Sequence, residues 1–118
     1  MIKHTRIYGM DRFNLESFET LKSNMGSIMP ELINIFIEDS QKSLQQIQSG
    51  IEASDTKQIN SAAHSLKSSA SNMGARLVSE LSAKIEEKST NALHEDLPSL
   101  YEQVNTEMNR VTQIIKSL

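Results

Sequence analysis

The chain contains no cysteine among its 118 residues. No disulfide framework and no thiolate metal site can therefore form, and a reducing cytosol suits such a chain. Aromatic residues make up only 4%, with 2 prolines and 4 glycines. That scarcity fits helices better than a β-sandwich, whose strands and turns draw on those residues. No apolar run approaches the roughly 20 residues that a membrane helix needs. The first ten residues, MIKHTRIYGM, hold no continuous apolar core of a signal peptide. Basic residues are also in the minority, giving a net charge of −3 and a pI of about 5.6. A nucleic-acid binder wants a basic face, so this balance argues against one. The expectation is a cytoplasmic, single-domain, mostly helical protein of a size that buries one core.

What is present is helical periodicity. Residues 1–13 show none and are read as an N-terminal arm, with one domain over 14–118. Leu15, Phe18 and Leu21 recur at helical spacing and predict a short helix ending near Gly26. Pro30 suits the first turn of a second helix, which carries Leu32, Ile33, Phe36, Leu44 and Ile47 and closes at Gly50. Ser54 reads as the N-cap of a third, whose apolar set is Ile59, Ala62, Ala63, Leu66, Ala70 and Met73, with Gly74 as its stop. A fourth carries Leu77, Val78, Leu81 and Ile85 and ends near Ser89. The last starts between Asn91 and Pro98 and runs through Val104, Met108, Val111 and Ile115. Short links make sequential helices antiparallel neighbours. The fold expected is all-α: an up-down antiparallel four-helix bundle with a short additional N-terminal helix. The internal methionines read as core gap fillers.

The third helix also carries a polar face. At about 100° per residue, Asn60, His64, Lys67, Ser68 and Ser71 gather on one side. His64 lies roughly 150° from the centre of the apolar stripe, so it should face solvent from the middle of the helix. An exposed helical histidine is usually incidental, and His4 and His94 are read that way. His64 differs in its surroundings. Lys67 puts a cation one turn away, and small Ser68 and Ser71 let a partner approach. An exposed imidazole also offers a nucleophilic ring nitrogen. Taken alone, Lys67 is an ordinary solvated surface lysine.

The segment Ala62-Ala63-His64-Ser65-Leu66-Lys67-Ser68-Ser69-Ala70-Ser71-Asn72-Met73-Gly74-Ala75 resembles the signature of histidine-containing phosphotransfer domains, A-H-x-L-K-G-x-x-x-x-x-G. Upstream Ile51, Ala53 and Asp55, and downstream Leu81-Ser82-Ala83-Lys84-Ile85-Glu86, are similar to the flanking pattern. The resemblance spans roughly residues 14–116. It departs at Ser68, where the family often has glycine. It implies a phosphocarrier without kinase activity, with His64 as phosphoacceptor through Nε2 and Lys67 offsetting the phosphate charge. Asn60, Ser68 and Ser71 would form the partner-docking surface, and Gly74 would be structural. The implied partners are receiver domains of a hybrid sensor kinase and of a response regulator.

No phosphate-cradling glycine loop and no kinase motif set is present. The protein is thus not expected to bind ATP or phosphorylate itself; the family resemblance implies no metal or cofactor of its own, with Mg²⁺ supplied by the partner receiver. It is expected to act as a monomer, away from nucleic acid and membrane. The initial Met and short arm favour a free-standing protein. The alternative is a non-catalytic helical interaction module in which His64 is incidental. A metal-binding bundle is disfavoured, because no Glu-x-x-His pair or spaced histidine pair occurs.

Overall fold

The computed structural model describes residues 12–118. Its helices are α1 (Leu15–Met25), α2 (Met29–Ala53), α3 (Thr56–Asn72), α4 (Arg76–Thr90) and α5 (Leu97–Ser117). Single 3₁₀ turns, Gly26–Ile28 and His94–Asp96, precede α2 and α5. No strand occurs among the described residues. The last four helices form the bundle: α2 packs on α3 and α5, and α4 packs on α3 and α5. Each helix contributes one apolar stripe to a shared core, including Ile47 from α2, Ile59 and Leu66 from α3, Val78 and Ile85 from α4, and Val104 and Met108 from α5. This is the expected bundle with its extra N-terminal helix.

Helix boundaries follow from capping chemistry, and two differ from the sequence reading. Gly50 does not close α2, which runs on to Ala53. A Cβ at Gly50 would lie 2.8 Å from Ile59 Cγ1. The glycine thus marks a close approach of α3 to α2 within a continuing helix. Ser54 does not cap α3. It adopts a left-handed conformation (φ 54°) and terminates α2. The cap is Asp55, whose side chain accepts from the Gln58 amide at 3.1 Å and satisfies one of the amides that a helix start leaves unpaired. Pro30 and Pro98 both occupy first-turn positions, where no amide hydrogen bond is lost.

Most of the arm assigned to residues 1–13 lies outside the described residues. Its last residue, Phe13, is fully buried. Asn14 caps α1 by accepting from the Ser17 amide, so Phe13 precedes the cap and Phe18 follows in the first turn. Their rings pack at 5.8 Å between centroids. This is a hydrophobic staple, which sets the angle at which the chain enters a helix. A lone apolar residue before a cap has no periodicity to betray it.

The entry segment is held twice more. Arg12 Nη2 donates to Glu107 Oε1 at 2.6 Å, and Arg110 Nη1 donates to Glu107 Oε2 at 3.2 Å. Glu107 is 3% exposed, and a carboxylate this buried needs such compensation. The Asn14 amide donates to the Gly74 carbonyl at 2.7 Å, and the Leu77 amide to the Arg12 carbonyl at 3.0 Å. The start of α1 is therefore tied to the turn between α3 and α4.

That turn depends on Gly74. Its φ is +83°, and a Cβ there would sit 2.7 Å from the Asn14 carbonyl oxygen. Gly74→Ala is expected to destabilise the fold by about 2 kcal/mol or more, through left-handed strain plus a backbone clash. Ser54→Gly relieves a left-handed serine and is expected to stabilise by up to about 1 kcal/mol. Urea unfolding monitored by circular dichroism measures both, and a neutral Gly74→Ala would contradict this account of the turn.

Candidate functional site

α3 is a helix of two faces. Ile59, Ala62, Ala63, Leu66 and Ala70 are buried on one. Ser61, His64, Ser65, Ser68 and Ser71 are exposed on the other.

His64 projects from mid-helix with 61% of its side chain exposed. Its Nδ1 lies 3.1 Å from Glu86 Oε2 on α4. The other oxygen of that carboxylate, Oε1, accepts from Lys67 Nζ at 2.9 Å. One carboxylate thus bridges the two residues that the sequence placed together. A carboxylate accepts and cannot donate, so the ring proton belongs on Nδ1. A neutral ring in that tautomer carries its lone pair on Nε2. Among the described residues no hydrogen-bond partner engages Nε2, and the side chain is largely exposed.

Partial burial pushes the Glu86 carboxyl up. The Lys67 hydrogen bond and charge, with a smaller contribution from His64, outweigh this and hold it below the usual carboxylate range. The sign follows directly. The bridge is present above that lowered value and is lost as pH falls through it. Its contribution to stability is small, as for other solvent-accessible ion pairs. Its geometric effect is to fix the ring and to hold Lys67 beside it. Ser79 of α4 adds a second tie, donating from Oγ to the Lys67 carbonyl at 3.0 Å.

The remaining candidates divide. Ser68 and Ser71 are exposed on the His64 side. Asn60 is half-buried, and its Oδ1 is buried with no hydrogen-bond partner, so it presents less surface than the two serines. Gly74 sits in the turn beyond α3, buried under Asn14. His94 lies elsewhere, with Nε2 3.3 Å from Thr56 Oγ1. His4 falls outside the described residues. Among the described residues no group of His, Asp and Glu is arranged to hold a metal ion, and no helix is long and apolar enough to cross a membrane.

In the sequence Glu86 belongs to the pattern flanking the motif, and its role at the site comes from the structure. Yet its position was recoverable. Gly74 lies ten residues after His64, and Glu86 twelve residues after Gly74. Folding an antiparallel hairpin about that glycine brings the two side by side.

Comparison with known proteins agrees with this geometry. The Hpt domain family matches residues 31–114. Histidine-containing phosphotransfer protein B (HptB) of Pseudomonas aeruginosa PAO1 is 27% identical, with a TM-score of 0.87 over 90% of this chain and 92% of that one. The maize histidine-containing phosphotransfer protein ZmHP2 is 13% identical, with a TM-score of 0.81 over 98% of this chain and 94% of that one, and attests the fold. No curated protein matches by sequence. An all-α bundle of this shape, matched by that family over most of its length and presenting a solvent-facing histidine at mid-helix, belongs to the Hpt domain family, whose members are phosphocarriers in phosphorelays rather than kinases.

Proposed function

We propose that His64 accepts and donates the phosphoryl group, relaying it between receiver aspartates of a hybrid sensor kinase and a response regulator. The observation that carries this reading is the Glu86 bridge, which holds His64 by Nδ1 and leaves Nε2 without a hydrogen-bond partner among the described residues. In the proposed step Nε2 attacks the phosphorus of an aspartyl phosphate on the receiver. The P–N bond forms as the P–O bond to the aspartate breaks, and the freed carboxylate stays with the receiver and its Mg²⁺. The Nδ1 proton remains directed at Glu86 throughout. Phosphoryl transfer needs positioning and charge neutralisation more than covalent chemistry from the protein. Lys67 would supply one cation once it turns from Glu86 toward the phosphoryl oxygens. The protein would act as a cytoplasmic monomer and hold no cofactor of its own.

His64→Gln is expected to abolish phosphate acceptance while shifting stability by less than about 0.5 kcal/mol, as exposed substitutions usually do. Incubation with a receiver charged by acetyl phosphate reads this directly. Acid-labile, base-stable label on the wild type and none on the variant is the expected result. Label retained on the variant would move the acceptor elsewhere and restore the reading of an interaction module with an incidental histidine.

Glu86→Gln tests the bridge. An amide can turn either its oxygen or its nitrogen toward the ring, so it no longer dictates the tautomer. Transfer from a receiver is expected to slow by about tenfold, a loss of about 1.4 kcal/mol in a closed site. Nitrogen NMR of the ring supplies a readout that a merely structural role would leave unchanged. The wild type should show a protonated Nδ1 and an unprotonated Nε2, and the variant a mixture. A wild-type ring protonated at Nε2 would overturn the role assigned to Glu86.

Ser68→Trp tests where the receiver sits. Ser68 is exposed one turn beyond His64, away from the core stripe of α3. The variant should keep its thermal stability and leave His64 open to diethyl pyrocarbonate, yet block transfer from a receiver. Transfer at the normal rate would displace docking from this part of α3.

A further inference from the structure

Two serines on α4 spend their hydroxyl protons differently. Ser82 is fully buried and donates from Oγ to the Val78 carbonyl at 2.7 Å, one turn back on its own helix. That is the ordinary destination of a serine hydroxyl inside a helix. Ser79 has an equivalent local acceptor in the Ala75 carbonyl, which already takes the Ser79 amide at 3.0 Å. Its Oγ instead crosses to α3 and donates to the Lys67 carbonyl at 3.0 Å. Ser79 is half-buried, so water competes less for this bond than for one on the open surface.

Among the described residues, three side-chain hydrogen bonds join α3 to α4. Two of them end on the Glu86 carboxylate, and both of those link flexible side chains. The Ser79 bond alone ends on main chain. The difference bears on register. The apolar stripes of the two helices decide which faces meet, but apolar attraction carries no direction. A hydrogen bond is lost beyond about 3.5 Å. A side chain as short as serine, bonded to a backbone oxygen, therefore fixes where α4 stands along α3. Seven residues separate Ser79 from Glu86, about 10 Å along α4 and only about 20° around it. Both lie on one stripe facing α3. Because the helices are antiparallel, the step from Ser79 to Glu86 leads from the Lys67 backbone back toward His64. Lys67 is thus held at both ends, its carbonyl by Ser79 and its ammonium by Glu86.

We propose that Ser79 is a positioning residue for His64, acting through Glu86: its hydroxyl sets the register of α4 on α3 at which one carboxylate reaches both the ring and Lys67. Ser79 touches neither the ring nor anything bound to it. Its effect on phosphoryl transfer rests on the phosphotransfer reading of His64. Its effect on the ring rests on geometry alone and exists in the free protein. Groups that orient a reactive side chain from behind gain their leverage this way, because small displacements at the support become misaimed atoms at the site.

The test uses the intact chain. Ser79→Ala removes the bond while the Lys67 carbonyl keeps its place in the helical ladder of α3, so the fold should stand. Nitrogen NMR in mildly alkaline buffer, where the ring is neutral, should show the His64 proton shared between Nδ1 and Nε2 instead of held at Nδ1. Transfer from whichever receiver exchanges phosphate fastest with the wild type should slow by about threefold. Ser79→Thr and Ser79→Val match in shape and differ in the hydroxyl, which separates the bond from packing. The threonine variant should behave as wild type and the valine variant as Ser79→Ala. Ser82→Ala, which removes a hydroxyl bonded within α4, should leave tautomer and rate unchanged. Ser79→Ala combined with Glu86→Gln should be no slower than Glu86→Gln alone, because the serine acts only through that carboxylate. A wild-type tautomer in Ser79→Ala and Ser79→Val would overturn the proposal. So would an equal effect in Ser82→Ala, or full additivity in the double variant. If the wild type takes label from no receiver, the phosphotransfer reading fails, and the tautomer comparison still decides the role of Ser79.

Discussion

The constraint on which this structure turns is that α3 must serve the core and the solvent at once. Seventeen residues supply a buried stripe and an opposite exposed stripe that carries His64. A helix fixed along one whole side cannot rotate, so the side of α3 from which His64 projects is set by Ile59, Leu66 and Ala70, and Glu86 then orients the ring. Packing at interior density makes that fixation stiff. α4 packs along α3 beside this buried stripe, and that proximity is what allows Glu86 to span both His64 and Lys67. The site is therefore a consequence of how the core is filled.

The same dependence runs through the turn. α3 and α4 can lie antiparallel only if the chain reverses between Asn72 and Arg76, and Gly74 makes the reversal in a conformation few residues tolerate. Asn14 closes over it, and Phe13, Arg12 and Glu107 anchor that closure to the core and to α5. A glycine ten residues from the histidine thus sets the register that carries Glu86 to it.

The bundle and the exposed histidine were readable in advance because both are periodic. Four apolar stripes at helical spacing specify four packed helices, and a polar residue opposite such a stripe must face water. What escaped had no period. Phe13 is a single residue outside any helix, and only the staple pairing with Phe18 explains it. Gly50 and Ser54 were assigned by residue preference, which tertiary packing overrode: α3 needed the space at Gly50, and Asp55 offered a better acceptor than Ser54 at the helix start. Glu86 escaped for a different reason. A contact between helices is a matter of register, which a single helical wheel does not hold and which here follows only from folding α3 and α4 about Gly74.

A carboxylate beside the proposed phosphate acceptor at first looks misplaced, since a bound phosphoryl carries a charge of about −1.5 to −2 at neutral pH. The two sides of the ring resolve the difficulty. On the proposed reading, attack by Nε2 gives the imidazole positive character while Nδ1 still holds its proton. Glu86 faces that proton and stabilises charge on the ring, at the nitrogen remote from phosphorus. Lys67, held by the other oxygen of the same carboxylate, stands ready for charge on the phosphoryl group. The bridge therefore keeps its anion at Nδ1 and holds the Lys67 cation on the same carboxylate. Because both partners are tethered through Glu86, whatever weakens one contact loosens the other. Ring tautomer and lysine placement are thus set together, by one side chain on the neighbouring helix.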